Sequence, residues 1–574
     1  MEKDRKQPAP DICPTKRGKL ELSEVREKLS TARGPQYWRS LEELAQTPEF
    51  EEMLHREFPR HASEWTDAPS RRNFLKIMGA SLALAGLSAC TRQPLEPIVP
   101  YVRQPDNLVL GKPLFFATAM PLGACGLPML VESHEGRPTK IEGNPQHPAT
   151  LGGTDPFMQA SVLDLYDPDR SQTVTYLGDA SAWGQFLNAL RGPLTAQRAL
   201  KGAGIRFLTA PTSSPTLTAQ MEQVLRIFPQ AKWYQWEPAN RDNAMAAAQA
   251  SFGQPVQTQF NFEKAKVVLS LDGDFLSSGF PGFHRNARQF AARRRPELRQ
   301  EMLRFYAVES TPTNTGGKAD HRLPLRASEI EAFARALAAQ LGAGGGGQFP
   351  AGQQKFAAAL AKDLLANRGR SVIVAGDNQP VAVHMLAHAM NQALGNVGQT
   401  VFYTDWIESH PVNKTDSLRQ LAGEMWSGKI DMLFLIGVNP LYDAPPDVNF
   451  SGAMQKVGVR VHHGLYQDET ARLCHWHLNG THYLEQWGDC RSFDGTISLI
   501  QPLIAPLYGG RSAFEVLGAL VGEPDINSYQ VVYRHWLEQH NHPSERGSPG
   551  APKKLANVGY QSAIIFRPVT FFCP

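Results

Sequence analysis

The hydrophobic pattern between about residue 200 and residue 500 consists of short apolar runs that alternate with segments of helical spacing. Short apolar runs of strand length lie at 205–209, 266–271, 372–375 and 432–436. Helical spacing follows, from Pro215 after the first run and from Ala382 after the third. Strands that alternate with helices predict α/β layers with mainly parallel sheets. Gly with Asp or Asn follows most of these runs, at the end of the strands where open α/β sheets bind ligands.

The chain before this region has a different pattern. From Leu114 onwards, residues 130–132 and 139–142 read as two strands that flank a turn at 135–138. This pattern predicts a hairpin, and Pro145 together with Pro148 ends it. A small β-rich segment is therefore expected ahead of the α/β region.

A Gly-rich run at 342–347 interrupts the α/β pattern. It matches G-x-G-x-x-G, but it follows a helical segment and not a strand, so it lacks the context of a dinucleotide-binding loop. We interpret it as a flexible linker between two α/β lobes.

An export signal precedes the folded region. The residues that match the pattern of a twin-arginine signal are Ser70, Arg71, Arg72, Asn73, Phe74, Leu75 and Lys76. An apolar run from Ile77 to Leu87 follows them. The run is about half the roughly 20 residues that a membrane-spanning helix needs, which suits a signal h-region. Paired arginines before such a run are typical of a twin-arginine signal, carried by Arg71, Arg72, Phe74 and Leu75.

The signal is followed at once by Leu87-Ser88-Ala89-Cys90, which resembles the lipobox of bacterial lipoproteins. Acylation of Cys90 would anchor the chain at the periplasmic face of the bacterial inner membrane. About seventy residues precede the arginines, and Ser40 with Glu43 forms a capping box typical of a helix start. An uncleaved signal would leave this extension in the cytoplasm.

These changes divide the 574 residues into segments, and a chain of this length holds roughly two to four domains. The segments are a helical extension at 1–69, the signal and lipobox at 70–90, a Pro-rich tether at 91–113, the β-rich segment at 114–175, an α/β lobe at 176–340, the Gly-rich linker at 341–352, a second α/β lobe at 353–512, a helical segment at 513–540 and an aberrant or disordered tail at 541–574.

Composition argues against two features, a nucleic-acid partner and an iron–sulfur cluster bound wholly within this chain. The formal net charge is only +3, and no basic stripe alternates with aromatic residues, so a nucleic-acid partner is not expected. The six cysteines are scattered without a C-x-x-C pair, which argues against an iron–sulfur cluster bound wholly within this chain.

Several motifs occur in the order typical of one superfamily. They are Val131-Glu132, Glu135-Gly136-Arg137, Lys140-Ile141-Glu142-Gly143-Asn144-Pro145, His147-Pro148, Leu165-Tyr166-Asp167-Pro168-Asp169-Arg170, Ala375-Gly376, Leu394-Gly395-Asn396 and Gly437-Val438-Asn439-Pro440. This set resembles the molybdopterin oxidoreductase superfamily. The resemblance implies an α/β fold of several lobes with mainly parallel sheets and a small β-rich N-terminal segment.

One branch of the superfamily is more similar. Residues 37–44, the internal twin-arginine signal, Tyr483-Leu484-Glu485 and Trp487-Gly488-Asp489 resemble the large subunit of alternative complex III, in the Tat-variant-translocated molybdopterin oxidoreductase family. The resemblance covers roughly residues 35 to 530. It implies a respiratory-chain oxidoreductase complex that oxidises membrane quinol and passes the electrons to cytochromes or an oxidase.

The family also implies partners. These are an iron–sulfur ferredoxin-like module, multihaem cytochrome c subunits, integral membrane quinol-binding subunits and, during export, the Tat translocase. In this family the molybdopterin-oxidoreductase-like part is understood to hold no molybdenum and to act as a scaffold. The expected function is therefore a non-catalytic scaffold without an active site of its own.

The metal-binding cysteines of catalytic relatives are missing here. Those relatives begin with a Cys quartet for a [4Fe–4S] cluster, whereas this chain has only Cys125 near the first motif and none at 152–156. We therefore predict no catalytic residue, no metal ligand and no bound cofactor. Gly376, Asp377 and Asn439 are candidates for the remnant of a pterin cleft, although turn formation explains them equally well.

Three alternatives stay open at this point. A catalytically active bis-molybdopterin enzyme would have Cys125 as its nearby ligand. His475, His477 and His482 lie between Cys474 and Cys490, so a zinc site or a Cys474–Cys490 disulfide is conceivable, although the spacing fits no standard zinc pattern. The tail after about residue 541 is interpreted as a frameshift or a premature end, or else as the end of a split subunit.

Overall fold

The computed structural model describes residue 109, residues 111–298 and residues 301–541. The predicted export residues Arg71, Arg72, Phe74 and Leu75, the predicted lipidation residue Cys90, the N-terminal extension at 1–69 and the tail at 542–574 lie outside the described residues. Within the described ranges, none of the helices combines the length and the apolar character needed to span a bilayer.

The described residues form eighteen strands and fourteen α-helices. The strands are β1 Leu114–Leu122, β2 Cys125–His134, β3 Arg137–Gly143, β4 Thr175–Tyr176, β5 Asp179–Ala180, β6 Ile205–Thr209, β7 Lys232–Gln235, β8 Val256–Phe260, β9 Val267–Leu271, β10 Arg304–Glu309, β11 His321–Pro324, β12 Ser371–Ala375, β13 Val401–Asp405, β14 Met432–Ile436, β15 Val459–Gly464, β16 Trp476–Asn479, β17 Gly488–Arg491 and β18 Ile497–Ile500. The helices are α1 Pro156–Tyr166, α2 Trp183–Ala199, α3 Pro215–Ile227, α4 Asp242–Phe252, α5 Phe283–Ala292, α6 Ala327–Gln340, α7 Gln354–Ala366, α8 Val381–Ala393, α9 Lys414–Trp426, α10 Pro440–Asp443, α11 Phe450–Met454, α12 Glu469–Arg472, α13 Ala513–Val521 and α14 Ser528–Asn541.

The β-rich segment is an antiparallel sheet in the order β1-β2-β3. The predicted hairpin is confirmed, because β2 pairs with β3 across a turn in which Glu135 and Gly136 have φ angles of 52° and 84°. Two consecutive positive φ angles are what a two-residue turn needs to match the twist of its strands. Helix α1 and the hairpin β17–β18 pack on this sheet around a core that includes Met129 and Leu484.

A seven-stranded sheet in the order β5-β4-β16-β15-β14-β6-β7 forms the larger α/β lobe. Strands β16, β15, β14, β6 and β7 are parallel, and β6 and β14 at its centre are buried along their whole length. Helices α2, α3 and α13 cover one face, and α9 and α11 cover the other. This is the layered α/β arrangement that the sequence predicts.

A second, four-stranded parallel sheet has the order β11-β10-β9-β12. Helices α6, α7 and α8 pack on one face of it. A Phe-rich core that includes Phe262, Phe275 and Phe305 lies on the other face. Strands β8 and β13 form a separate antiparallel pair in the same lobe.

The two lobes do not divide at the Gly-rich run. Strand β12 pairs with β9, and β14 pairs with β6, so each sheet joins residues from both predicted lobes. The run itself connects α6 to α7, and Leu341 and Phe349 beside it belong to the same core as those helices. The smaller lobe is thus an insertion between β7 and β14. Local composition suggested a boundary at residues 341–352, but the pairing of the strands places the boundaries of the smaller lobe after β7 and before β14.

Candidate functional site

Each parallel sheet has a point where the strand order reverses. In the smaller lobe it lies between β9 and β12, and in the larger lobe between β6 and β14. Ligands of open α/β folds bind at such points, outside the carboxyl ends of the strands. An open cleft of about 750 Å³ lies at the first of them, lined by the residues after β9 and β12 and at the starts of α4 and α9.

The two strand ends approach each other closely at this cleft. Asp272, which follows β9, has a φ of 56°. A Cβ atom on Gly376, which follows β12, would lie 2.0 Å from the backbone oxygen of Asp272. Gly376 therefore serves the packing of two backbones, which is sufficient reason for a glycine at this position.

Replacing Gly376 with alanine is expected to lower the free energy of unfolding by about 1–3 kcal/mol, because one of the two strand ends must move to make room for the methyl group. Gly423 in α9 is the matched control, since a Cβ there meets no atom within 4 Å. Alanine at Gly423 should be neutral or stabilising by up to about 1 kcal/mol. Urea unfolding curves of the two variants measure the difference, and equal curves would contradict the steric explanation.

Two carboxylates of the cleft, those of Asp272 and Asp274, accept hydrogen bonds from within the chain. Asp272 accepts from the backbone N–H of Ser310 at 3.0 Å and from Nε2 of Gln379 at 2.9 Å. Asp274 accepts from the backbone N–H of Thr315 at 3.1 Å. These bonds fix loops at the strand ends, so both side chains have a structural role.

Asp242 has the same role at the next helix. It accepts from the backbone N–H groups of Lys414 and Thr415 at 2.9 and 3.0 Å. Both donors lie in the first turn of α9, where backbone N–H groups have no partner within the helix. Asp242 thus ties α4 to α9 beside the cleft.

Asp377, the second candidate for a pterin remnant, forms an ion pair with Arg241. Nε of Arg241 donates to Oδ1 of Asp377 at 2.9 Å, and Nη1 donates to Oε1 of Gln257 at 2.9 Å. The guanidinium also lies over the ring of Trp406, 5.3 Å from its centroid. The Asp377 carboxylate and the Arg241 guanidinium are therefore committed to each other.

Asn439, the third candidate, lies at the other reversal point and does not line the cleft. Its Nδ2 donates to Oε2 of Glu469 at 2.7 Å, and its Oδ1 accepts from Oγ1 of Thr470 at 2.7 Å. Asn439 therefore joins the turn after β14 to the start of α12. The structure brings Gly376 and Asp377 together and leaves Asn439 apart.

These residues do not fit a pterin dinucleotide. Its pyrophosphate is an anion, which needs free backbone N–H groups or cations. The charged residues that line the cleft are Asp242, Asp272, Asp274, Asp377, Asp416, Arg241 and Arg419. Aspartates outnumber arginines, and Arg241 is already paired, so a phosphate would meet mainly negative charge.

The described cysteines are not arranged as ligands. Burial raises the pKa of the Cys125 and Cys474 thiols to about 12, and it raises that of Cys490 as well. Thiols with such pKa values stay protonated at neutral pH, whereas metals and nucleophilic chemistry need the thiolate. The described residues contain no group of three or more His, Cys, Asp or Glu side chains arranged to hold a metal ion.

The conceivable Cys474–Cys490 disulfide is wrong. Both thiols are free, and they belong to different cores, that of the larger lobe for Cys474 and that of the β-rich segment for Cys490. Of the histidines between them, His477 forms two hydrogen bonds. Its Nε2 lies 2.6 Å from Oγ of Ser171, and its Nδ1 lies 2.9 Å from Nδ1 of His462. His482 accepts from the backbone N–H of Leu484 at 3.3 Å. These contacts give both rings a structural role.

Two motifs that were noted separately along the chain meet in a buried ion pair. Nη2 of Arg170 lies 2.7 Å from Oε2 of Glu485, and the two side chains are 2% and 1% exposed. Glu485 also accepts from the backbone N–H groups of His482 and Leu507, at 2.8 and 2.9 Å. The pair joins the end of the β-rich segment to the turn at 483–485 that follows β16. Both residues lie in motifs that the sequence singles out, but nothing in the sequence links the two positions.

A second buried carboxylate connects the larger lobe to the last helix. Asp489 accepts hydrogen bonds from the hydroxyls of Ser214 and Thr216 and, at 2.9 Å, from Nε1 of Trp536. These donors come from the start of α3 and from α14. The stretch from Tyr483 to Asp489 therefore organises the contacts between segments.

Comparisons with known proteins agree with this fold. No family model matches the chain. A menaquinone reductase, molybdopterin-binding-like subunit from Nitratidesulfovibrio vulgaris is 25% identical over 510 residues, which cover 79% of this chain and 72% of that protein. The structure of acetylene hydratase from Pelobacter acetylenicus, a molybdopterin-family enzyme, matches 71% of this chain and 70% of that chain with a TM-score of 0.54 and 13% identity. The chain therefore has the α/β fold of molybdopterin-family enzymes and is similar to a molybdopterin-binding-like subunit.

Proposed function

We propose that this chain is a non-catalytic scaffold part of the large subunit of a quinol-oxidising, membrane-associated complex of the alternative complex III type. It docks an iron–sulfur ferredoxin-like module and multihaem cytochrome c subunits beside the integral membrane subunits that bind quinol. The relative named as a menaquinone reductase subunit supports a place in quinone-linked electron transfer. The twin-arginine signal and the lipobox support the periplasmic face of the inner membrane, with Cys90 as the anchor.

One observation carries the scaffold role. Several polar side chains at the switch-point cleft are held by contacts within the chain: Arg241 pairs with Asp377, and Asp242 and Asp272 fix neighbouring backbone. A catalytic pterin site needs such groups free to face the cofactor and the substrate. The chain thus keeps the framework of the fold while its site residues perform structural work.

The surface supports a docking role. On α14, Tyr529, Tyr533 and Leu537 are 43%, 53% and 44% exposed, and they recur every four residues along one face. Contiguous exposed apolar side chains on a folded protein typically mark an interaction site. This stripe is a candidate contact for another module of the complex.

The test is purification of the complex from its native membranes. We expect cytochrome haem to co-purify with this chain, quinol-dependent cytochrome reduction in the purified complex, and neither pterin nor molybdenum near one equivalent per chain. Stoichiometric molybdenum with bound pterin would instead identify the catalytically active bis-molybdopterin enzyme. If the complex only reduces menaquinone and does not oxidise quinol, the proposed scaffold role would stand and the proposed quinol oxidation would be wrong.

The stripe on α14 has its own test. Replacing Tyr533 with glutamate is expected to reduce the co-purifying haem at least about fivefold, because a charge would have to be buried in an apolar contact. The melting temperature should not change, since this side chain is largely exposed. Tyr442→Glu is the matched control, because Tyr442 is 77% exposed on a different helix, α10. Equal loss in both variants would refute a specific role for the stripe.

A further inference from the structure

A mostly enclosed cavity lies beside the switch-point cleft, and the proposed function does not use it. Its volume of about 40 Å³ has room for roughly three water molecules or one organic molecule of similar size. Val256, Phe260, Ile373, Ala387 and Phe493 form most of its apolar wall. The cavity is therefore a small space with both polar and apolar lining, formed by the inserted lobe together with Phe493 from the turn between β17 and β18.

The cavity shares one wall with the cleft. Arg241, Phe280 and Asp377 line both spaces. The Arg241 and Asp377 side chains are each 22% exposed, so their ion pair is reached from the cleft side. If these two side chains moved aside, the cleft and the cavity would be connected.

Two polar groups that line the cavity have no partner. Nε2 of His384 and Nε1 of Trp406 make no hydrogen bond, and these residues are only 6% and 8% exposed. A buried polar group without a partner costs about 1–3 kcal/mol, so such groups are rare in native proteins and call for an explanation. The indole N–H can only donate, so whatever satisfies Trp406 must present an acceptor atom.

Charge restricts the occupant further. Arg241 and Asp377 neutralise each other, and burial lowers the pKa of both His384 and His388 to about 4, so both rings are uncharged at neutral pH. An ion of either sign in this space would have no free counter-charge, and burying an unpaired charge costs several kcal/mol. The occupant is therefore uncharged.

We propose that this cavity binds a small uncharged carbonyl compound of the primary-amide class, which enters past Arg241 and Asp377. The carbonyl oxygen accepts from Nε1 of Trp406, the amide N–H donates to Nε2 of His384, and the short alkyl group contacts the apolar wall. The binding involves no covalent step, and it is independent of whether the chain serves as a scaffold.

Acetamide and acetate test the proposal because they have the same shape and differ in charge. The full chain is titrated with each at pH 7 by ligand-observed NMR. A ligand of this size binds with a Kd on the order of millimolar at best. We expect saturable binding of acetamide and at least tenfold weaker binding of acetate.

Variants locate the binding. Trp406→Phe keeps an aromatic ring but removes the donor, and it should weaken acetamide binding roughly fivefold without lowering the melting temperature, since the lost N–H has no partner. Ala387→Leu fills the space and should abolish binding. Trp426→Phe, at a tryptophan that is 47% exposed, should change nothing. Absence of saturable acetamide binding, which would leave only water in the cavity, overturns the proposal; so does acetate binding as tight as acetamide, or unchanged binding in Trp406→Phe.

Discussion

Replacing Arg170 with methionine is expected to lower the free energy of unfolding by about 3–5 kcal/mol, because it leaves the Glu485 carboxylate buried without its counter-charge. Nη1 of Arg170 also donates to the backbone oxygen of Leu165 at 2.8 Å, and that bond is lost as well. Both side chains are nearly inaccessible to water, so solvent cannot replace the guanidinium. Urea unfolding followed by tryptophan fluorescence measures the loss.

The double variant Arg170→Met with Glu485→Met is the control. Replacing both members of a buried pair by apolar side chains is often neutral or stabilising, so the double variant should recover much of the lost free energy. Its recovery here is expected to be partial, because the backbone N–H groups of His482 and Leu507 lose their acceptor. A single variant as stable as the parent would show that the buried pair does not stabilise the fold.

Acidification is expected to destabilise the fold between about pH 6.5 and pH 4. Burial lowers the pKa of His477 and His482 to about 4 and that of His462 to about 3. In the unfolded chain a histidine has a pKa of about 6.5, so below that pH the unfolded state takes up protons first. The stability from these neutral rings is fully present above about pH 6.5 and is lost as the pH falls. Each histidine then costs about 2 kcal/mol at pH 5.

The unfolding free energy at pH 7, 6 and 5 checks this expectation. His482→Asn is the informative variant, because asparagine can still accept from the backbone N–H of Leu484 while it cannot titrate. Between pH 6 and 5 its slope should be smaller than that of the parent by about 1 kcal/mol per pH unit. A variant with the parental slope would mean that His482 takes up its proton equally in both states.

The sequence predicted the local elements well because their patterns are local. The strand at 205–209 and the helix that begins at Pro215 lie where the apolar run and the helical spacing predict them. The hairpin turn follows in part from Gly136, because glycine readily adopts a positive φ, whereas the positive φ of Glu135 has no signal in its residue type. The α/β class with mainly parallel sheets follows from the alternation of such elements.

The division into lobes could not be predicted in this way. Nothing around Ser371 indicates that β12 pairs with β9, because strand pairing depends on which apolar edges remain free after the rest has folded. A glycine-rich run is a strong local signal, yet the run between α6 and α7 joins two helices of one core.

The candidate site was predicted in part. Gly376 and Asp377 were identified from their position after a strand, and they do lie at a switch point. The Arg241 side chain that neutralises Asp377 comes from 136 residues earlier in the chain, and no spacing rule links the two positions. The same holds for Arg170 and Glu485, which lie 315 residues apart.

The insertion of the smaller lobe has a consequence during synthesis. Strand β6 leaves the ribosome roughly 220 residues before its neighbour β14, and at roughly 5–20 residues per second this interval lasts about 10 to 45 seconds. The inserted lobe can fold in that time, while the edge of β6 that later pairs with β14 has no hydrogen-bonded strand beside it. Substitutions that slow folding of the insertion therefore prolong the life of an aggregation-prone edge elsewhere in the chain, so their effect falls on the yield of protein more than on the stability of the finished molecule.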